Sequence, residues 1–274
     1  MNCIFCKEIS DNSKSAEHII PESLGNKSHV LDNGIVCDKC NNYFASKIEK
    51  EVLELSYFKS LRHRNYILNK KNKLPRENGY IIHTNGGQIE IVQRFENILE
   101  VNIENKGIFN LVEEGKVDKL YIPILSLPPV DNVFISRLLG KIALEALAQR
   151  VQQVEEWNKD FIEYEELDNL RNYVRYGQGK FWVYNVRRVY NESNTFKERK
   201  LDIDEEYQIL HEFDFLYIDD KYLYFICIIM GVEYAINVGE RTLQQYIEWL
   251  NKNHNKSPLA DDLQAKKPSQ SPLQ

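Results

Sequence analysis

The sequence contains no apolar run of about eighteen residues, the length a membrane-spanning helix requires. Its longest apolar stretch, near Tyr222–Met230, is only strand-length, so no membrane partner is expected. The N-terminus has no basic stretch followed by an apolar segment, which argues against a secretory leader and for a reducing, cytoplasmic setting. Positive charge is not in excess either. Lys and Arg number 35 against 41 Asp and Glu, for a net charge of −6, so the chain does not coat nucleic acid through bulk charge. Internal repeats and coiled-coil heptads are absent as well. What remains is 274 residues, 43% hydrophobic, enough for a buried core and one or two domains.

Cysteine is scarce but concentrated. Four of the five cysteines form two identical spacings, Cys3-Ile4-Phe5-Cys6 and Cys37-Asp38-Lys39-Cys40. In a reducing compartment such pairs bind metal more often than they form disulfides, and two Cys-x-x-Cys knuckles suit a tetrahedral zinc ion. Cys227 lies among Phe225, Ile226, Ile228 and Ile229 and reads as a buried structural thiol.

The insert between the knuckles is longer than in a compact four-cysteine finger. Ala16–Ile20 reads as a short strand closed by Pro21. Asp32-Asn33-Gly34 is a turn signal, with Ile35-Val36 as the return strand. From Asp38 onward Tyr43, Phe44, Ile48, Val52 and Leu55 recur at helical spacing. The expected order is strand, loop, strand, helix, with the knuckles tying the ends together.

Glu17-His18-Ile19-Ile20-Pro21, then Asn33, then Cys37-Asp38-Lys39-Cys40-Asn41, resembles the HNH endonucleases of the subgroup whose ββα-metal fold carries a four-cysteine zinc site. The similarity covers roughly residues 1–50. It implies that His18 is the general base, a role suited to an imidazole whose ordinary pKa lies near working pH. Glu17 would help hold a catalytic divalent ion, although the family more often has Asp there. Asn33 would orient the base or brace its loop, and Asn41 would complete the ion site, with Asn42 as the nearby substitute. An oxygen-rich site of this kind suits Mg²⁺ or Mn²⁺. Zinc, held by Cys3, Cys6, Cys37 and Cys40, would be structural and separate. The implied substrate is double-stranded DNA, and the implied setting is bacterial restriction or defence.

Residues 59–76 hold seven basic and no acidic side chains, whereas residues 77–274 carry a net −10. Arg62, Arg64, Lys70, Lys71 and Lys73 are therefore the candidate phosphate contacts. Strands are expected at 79–84, 88–94, 98–104 and 120–125, with Asn85-Gly86-Gly87 turning between the first two. Helices are expected at 131–154 and 163–176. The Arg137, Lys141 and Glu145 row of the first of these reads as a solvated face. Four further strands, with Asp219-Asp220 as a turn, and a closing helix at 239–251 follow, then a polar tail at 256–274.

The resulting expectation is an α+β protein. A zinc-stapled ββα module at 1–57 precedes an α+β recognition or regulatory domain at 58–255 and the tail. Two other readings stay open: a non-catalytic zinc module that binds nucleic acid or protein, and a nuclease effector gated by a ligand. A zinc nucleobase deaminase is disfavoured because no His-x-Glu accompanies the cysteine pairs.

Overall fold

The computed structural model describes residues 1–69, 71–83, 86–95, 98–152, 164–196, 207–219 and 221–259. Lys70, Asn85, Asp220, the end of the 131–154 helix and the tail beyond Leu259 lie outside the described residues. Helices and antiparallel sheets make the protein α+β, as expected. Among the described residues, no helix is long and apolar enough to cross a membrane.

Contacts divide the chain into two compact units. The first comprises Met1–Ile20, Asn26–Lys50 and the chain from Pro129 onward. It opens with a minimal hairpin, β1 (Glu17–His18) against β2 (Val30–Leu31), in the register Glu17↔Leu31 and His18↔Val30. The return strand thus precedes the Asp32-Asn33-Gly34 turn instead of following it, which corrects the expected Ile35-Val36 strand. Ile35 and Val36 are buried irregular chain, and Ile4 N–H donates to the Ile35 carbonyl at 3.0 Å.

Helix α1 (Asp38–Phe44) follows, continues through a π-helical turn (Ala45–Glu49) and ends in α2 (Lys50–Leu53). Phe44, Ile48 and Val52 are fully buried, as their spacing requires. The rest of the unit is built on α5 (Val133–Gln152), α6 (Asp168–Tyr176) and a four-stranded antiparallel sheet. The sheet order is β6 (Tyr184–Arg188), β11 (Val232–Asn237), β10 (Tyr222–Ile229), β9 (His211–Ile218).

Every residue of β11 is buried, so both faces of the sheet are covered. Helix α7 (Gln244–Lys252) packs Tyr246 and Leu250 against Tyr224, Ile226 and Ala235. Helix α5 packs on β11 as well and meets α6 where Gly140 leaves no room for a Cβ. Each fully buried side chain of this kind stabilises the unit by roughly 1.5–3 kcal/mol. A short pair, β7 (Thr195–Phe196) with β8 (Tyr207–Gln208), adjoins the sheet in sequence.

The second unit, Pro21–Gly25 and Glu51–Pro128, holds α3 (Ser56–Arg64) and an antiparallel sheet in the order β3 (Glu77–Ile81), β4 (Gly87–Phe95), β5 (Ile98–Asn102). Its core joins Ile81 and Ile89 to Ile108 of α4 (Lys106–Glu113). That helix was not anticipated. Asn105 caps it, accepting from the Gly107 and Ile108 amides at 2.8 and 3.3 Å. The strand expected at 120–125 reduces to one bridge, Tyr80↔Tyr121.

Candidate zinc and nuclease site

The first knuckle turns tightly. Lys7 adopts φ 60°, and its amide donates to the Cys3 carbonyl at 2.9 Å. The second knuckle is the N-terminus of α1, where the Cys37 sulfur accepts from the Cys40 amide at 3.4 Å. Cys37 N–H in turn donates to Cys3 Sγ at 3.3 Å. All four sulfurs lie within 4.8 Å of one another, and Cys6 Sγ is 3.7 Å from Cys37 Sγ. A tetrahedron of thiolates about 2.3 Å from zinc has edges of about 3.8 Å, so the donor set fits that ion.

A hydrogen bond from Cys40 holds the Cys3 thiol down to about 5, while burial pushes Cys6 up to about 11. Cys40 is pushed higher still by its bond to Cys3 and by burial. A divalent cation at their centre would stabilise these sulfurs as thiolates.

Helix α6 grips this cluster. Arg175 Nε donates to Cys40 Sγ at 3.2 Å, and its guanidinium lies 4.0 Å from the centre of the Tyr43 ring. Arg171 Nε donates to the Ile4 carbonyl at 2.9 Å inside the first knuckle, and Lys7 pairs with Asp168 at 2.7 Å.

The ββα element is locked by two side chains. Asp38, in the first turn of α1, accepts from the Ser15 and Lys14 amides at 2.9 and 3.1 Å, which ties the approach to β1 onto the helix. Its hydrogen bonds, that of the Ser15 hydroxyl first, hold its carboxyl below the ordinary range. Asn26, 1% exposed, spans the hairpin loop. Its Nδ2 donates to the carbonyls of Ile20 and His29 at 2.8 and 3.0 Å, and its Oδ1 accepts from the Ser28 and His29 amides at 3.1 and 3.0 Å. Strand, loop, strand and helix, stapled by four cysteines, are now all in place.

Residues 3–54 match the family model of the HNH endonucleases. No curated protein and no solved structure matches the chain.

His18 is half-buried on β1, with Nδ1 shielded from solvent. Asn41 is half-buried in α1, and its Nδ2 donates to the Ala16 carbonyl at 3.2 Å, bringing it against the chain that enters β1. Asn33 and Asn42 are exposed. The loop between β1 and β2 is braced by Asn26, which sequence reasoning missed because an Asn between Gly25 and Lys27 looks like an ordinary turn residue.

Glu17 is 5% exposed and points to a partner outside the HNH segment. Its Oε1 lies 2.6 Å from Nζ of Lys141 on α5. Lys141 also meets Glu49 Oε1 at 3.1 Å, Glu145 Oε2 at 3.0 Å and the His18 carbonyl at 3.3 Å. The Arg137, Lys141 and Glu145 row is therefore not a solvated face. All three residues are buried, and Arg137 donates to the Val174 carbonyl and to the Tyr43 hydroxyl. The reason is that α5 is apolar on nearly all sides, so its charged residues are carried inside and must find partners there.

Burial pulls the Lys141 ammonium down, but the three surrounding carboxyl groups outweigh it and hold the group above the ordinary lysine value. Burial pushes Glu145 well above the carboxylate range, and its Oε1 has no hydrogen-bond partner among the described residues. Glu17 is also raised by burial, against the pull of Lys141. The cluster is thus one ammonium among three carboxyl groups.

Of the candidate phosphate contacts in the second unit, Lys71 and Lys73 are exposed, and Arg64 is half-buried with Nη1 on Ser60 Oγ at 3.0 Å. Arg62 is only 6% exposed, and burial lowers its pKa. Lys70 lies outside the described residues.

Proposed function

We propose that this chain is a metal-dependent HNH endonuclease that hydrolyses phosphodiester bonds, with double-stranded DNA as substrate. The observation that carries this reading is the HNH match over residues 3–54. His18 is the general base: its imidazole accepts the proton of the attacking water. Glu17 and Asn41 supply oxygen donors for Mg²⁺ or Mn²⁺, and Asn33 supports the loop beside the base. The divalent ion, when bound, neutralises charge on the phosphate and stabilises the leaving oxygen. The four cysteines hold a structural zinc that does not touch substrate. Lys71, Lys73 and Arg64 contact phosphate.

In this reading residues 1–57 are the catalytic module, 58–255 recognise substrate or regulate cutting, and 256–274 are a polar tail. The resemblance to HNH enzymes supports a cytoplasmic role in restriction or defence.

The test compares wild type with His18→Ala on plasmid, single-stranded DNA and RNA, with Mg²⁺, Mn²⁺ or EDTA. Wild type should cut plasmid with either ion and stop in EDTA. His18→Ala should keep its zinc and lose about 10²–10⁴-fold in rate. Equal cutting by the two proteins overturns the assignment of the base. A zinc-loaded wild type that binds DNA but never cuts it favours the recognition-module reading.

A further inference from the structure

Lys141 is fully buried and meets four acceptors from three separate stretches of chain. An ammonium has three N–H donors, so its bonding capacity is fully committed. Three of the acceptors belong to the HNH segment. β1 contributes the Glu17 side chain and the His18 carbonyl, and the π-helical turn contributes Glu49. That turn inserts an extra residue into the helix, a distortion that recurs at functional sites. Glu145, one helical turn along α5, would by itself give the lysine an adequate partner. Yet the shortest contact, 2.6 Å, is to Glu17 and not to Glu145 at 3.0 Å.

We propose that Lys141 is a positioning residue for the nuclease site. By engaging Oε1 of Glu17 and bracing the His18 carbonyl, it presents the other carboxylate oxygen of Glu17 to the catalytic divalent ion and fixes the strand that carries the base. This deepens the nuclease reading and rests on it. Carboxylates that hold metal ions are themselves held by hydrogen bonds from an outer partner, and loss of that partner typically costs 10–100-fold in metal affinity or activity. A residue 124 positions downstream of Glu17 thereby becomes part of the catalytic apparatus.

The experiment measures Mn²⁺ binding to the zinc-loaded full chain, from the electron paramagnetic resonance of free Mn²⁺, alongside plasmid cleavage against Mn²⁺ concentration. Lys141→Met should weaken Mn²⁺ binding by about 10–100-fold, with cleavage recovering at higher Mn²⁺. Glu17→Gln should also weaken it, and adding Lys141→Met to Glu17→Gln should change nothing further, since the lysine acts through that carboxylate. Unchanged Mn²⁺ affinity in folded Lys141→Met overturns the proposal, as does a further drop in the double variant. If Lys141→Met alone does not fold, Lys141→Arg decides, since it keeps the cation without the ammonium's geometry, and unchanged Mn²⁺ affinity in it overturns the proposal. A wild type that binds no Mn²⁺ and cuts nothing removes the nuclease reading itself. Unchanged binding in Lys141→Met removes only the role of the lysine.

Discussion

Arg175 and Cys40 are 135 residues apart in sequence, yet the guanidinium Nε of one donates to the sulfur of the other at 3.2 Å. A hydrogen bond to a zinc-binding sulfur fixes its orientation and shares its negative charge, so α6 acts as an outer support for the cysteine cluster. Arg175→Met, which keeps much of the packing stem, should weaken zinc binding by about 10-fold, measured by competition with a chromophoric chelator. Arg175→Lys should not restore it, because an ammonium cannot reproduce both the N–H···S bond and the stack on Tyr43. Zinc affinity equal to wild type in Arg175→Met would count against this support.

Asn26, itself buried, makes four hydrogen bonds to the backbone of the hairpin loop. Asn26→Ala should destabilise the zinc-loaded protein by about 3 kcal/mol in urea unfolding, since stranded carbonyls and amides carry their full desolvation cost. Asn26→Asp keeps the two accepting bonds and should fall between the two. A loss under about 1 kcal/mol for alanine would show that the loop closes without this clamp.

Gly140 sits where α5 and α6 come closest. A Cβ there would lie 2.6 Å from Val174 Cγ2 and 3.0 Å from Leu170 Cδ1. Gly140→Ala would gain helix propensity elsewhere, but here overpacking should win and cost about 1–3 kcal/mol. Thermal unfolding checks the sign: a stabilised variant would mean that the two helices separate freely.

Glu145 gives a pH dependence. Its carboxyl is raised by burial in the folded protein, so the folded state binds its proton more tightly than the unfolded chain does. This contribution to stability is fully present below the unfolded value of about 4.3 and is lost as pH climbs from there through the raised native value. Glu145→Gln removes the titration. The difference in unfolding free energy between variant and wild type should therefore move in favour of the variant as pH rises from 5 to 9. A pH-independent difference would show that Glu145 does not hold its proton.

Much of the zinc and ββα segment was legible because chemistry imposes spacing on it. Two thiolates on one tight loop require Cys-x-x-Cys, and a helix beginning at the second knuckle requires Phe44, Ile48 and Val52 on one side. The hairpin was misplaced by a few residues because a two-residue strand leaves almost no alternation to read, and Ile35-Val36 is as apolar and β-branched as any strand. The inward charges of α5 were illegible for a different reason. Lys141 and Glu145 at four-residue spacing look the same on a wet face as in a dry cluster, and only the apolar residues on every side of that helix pointed inward. Arg175 left no trace at all, since a bond from guanidinium to sulfur depends on two helices meeting and not on any local pattern.

The grip of α6 on both knuckles bears on portability. Ile4 offers its carbonyl to Arg171, Lys7 its ammonium to Asp168, and Cys40 its sulfur to Arg175. A fusion protein that borrowed only the first fifty-odd residues as a module would leave these three sockets empty. Transplanting this segment therefore means transplanting α6 with it, and a duplication or recombination event that parted them would deliver a four-cysteine cluster without its keystone.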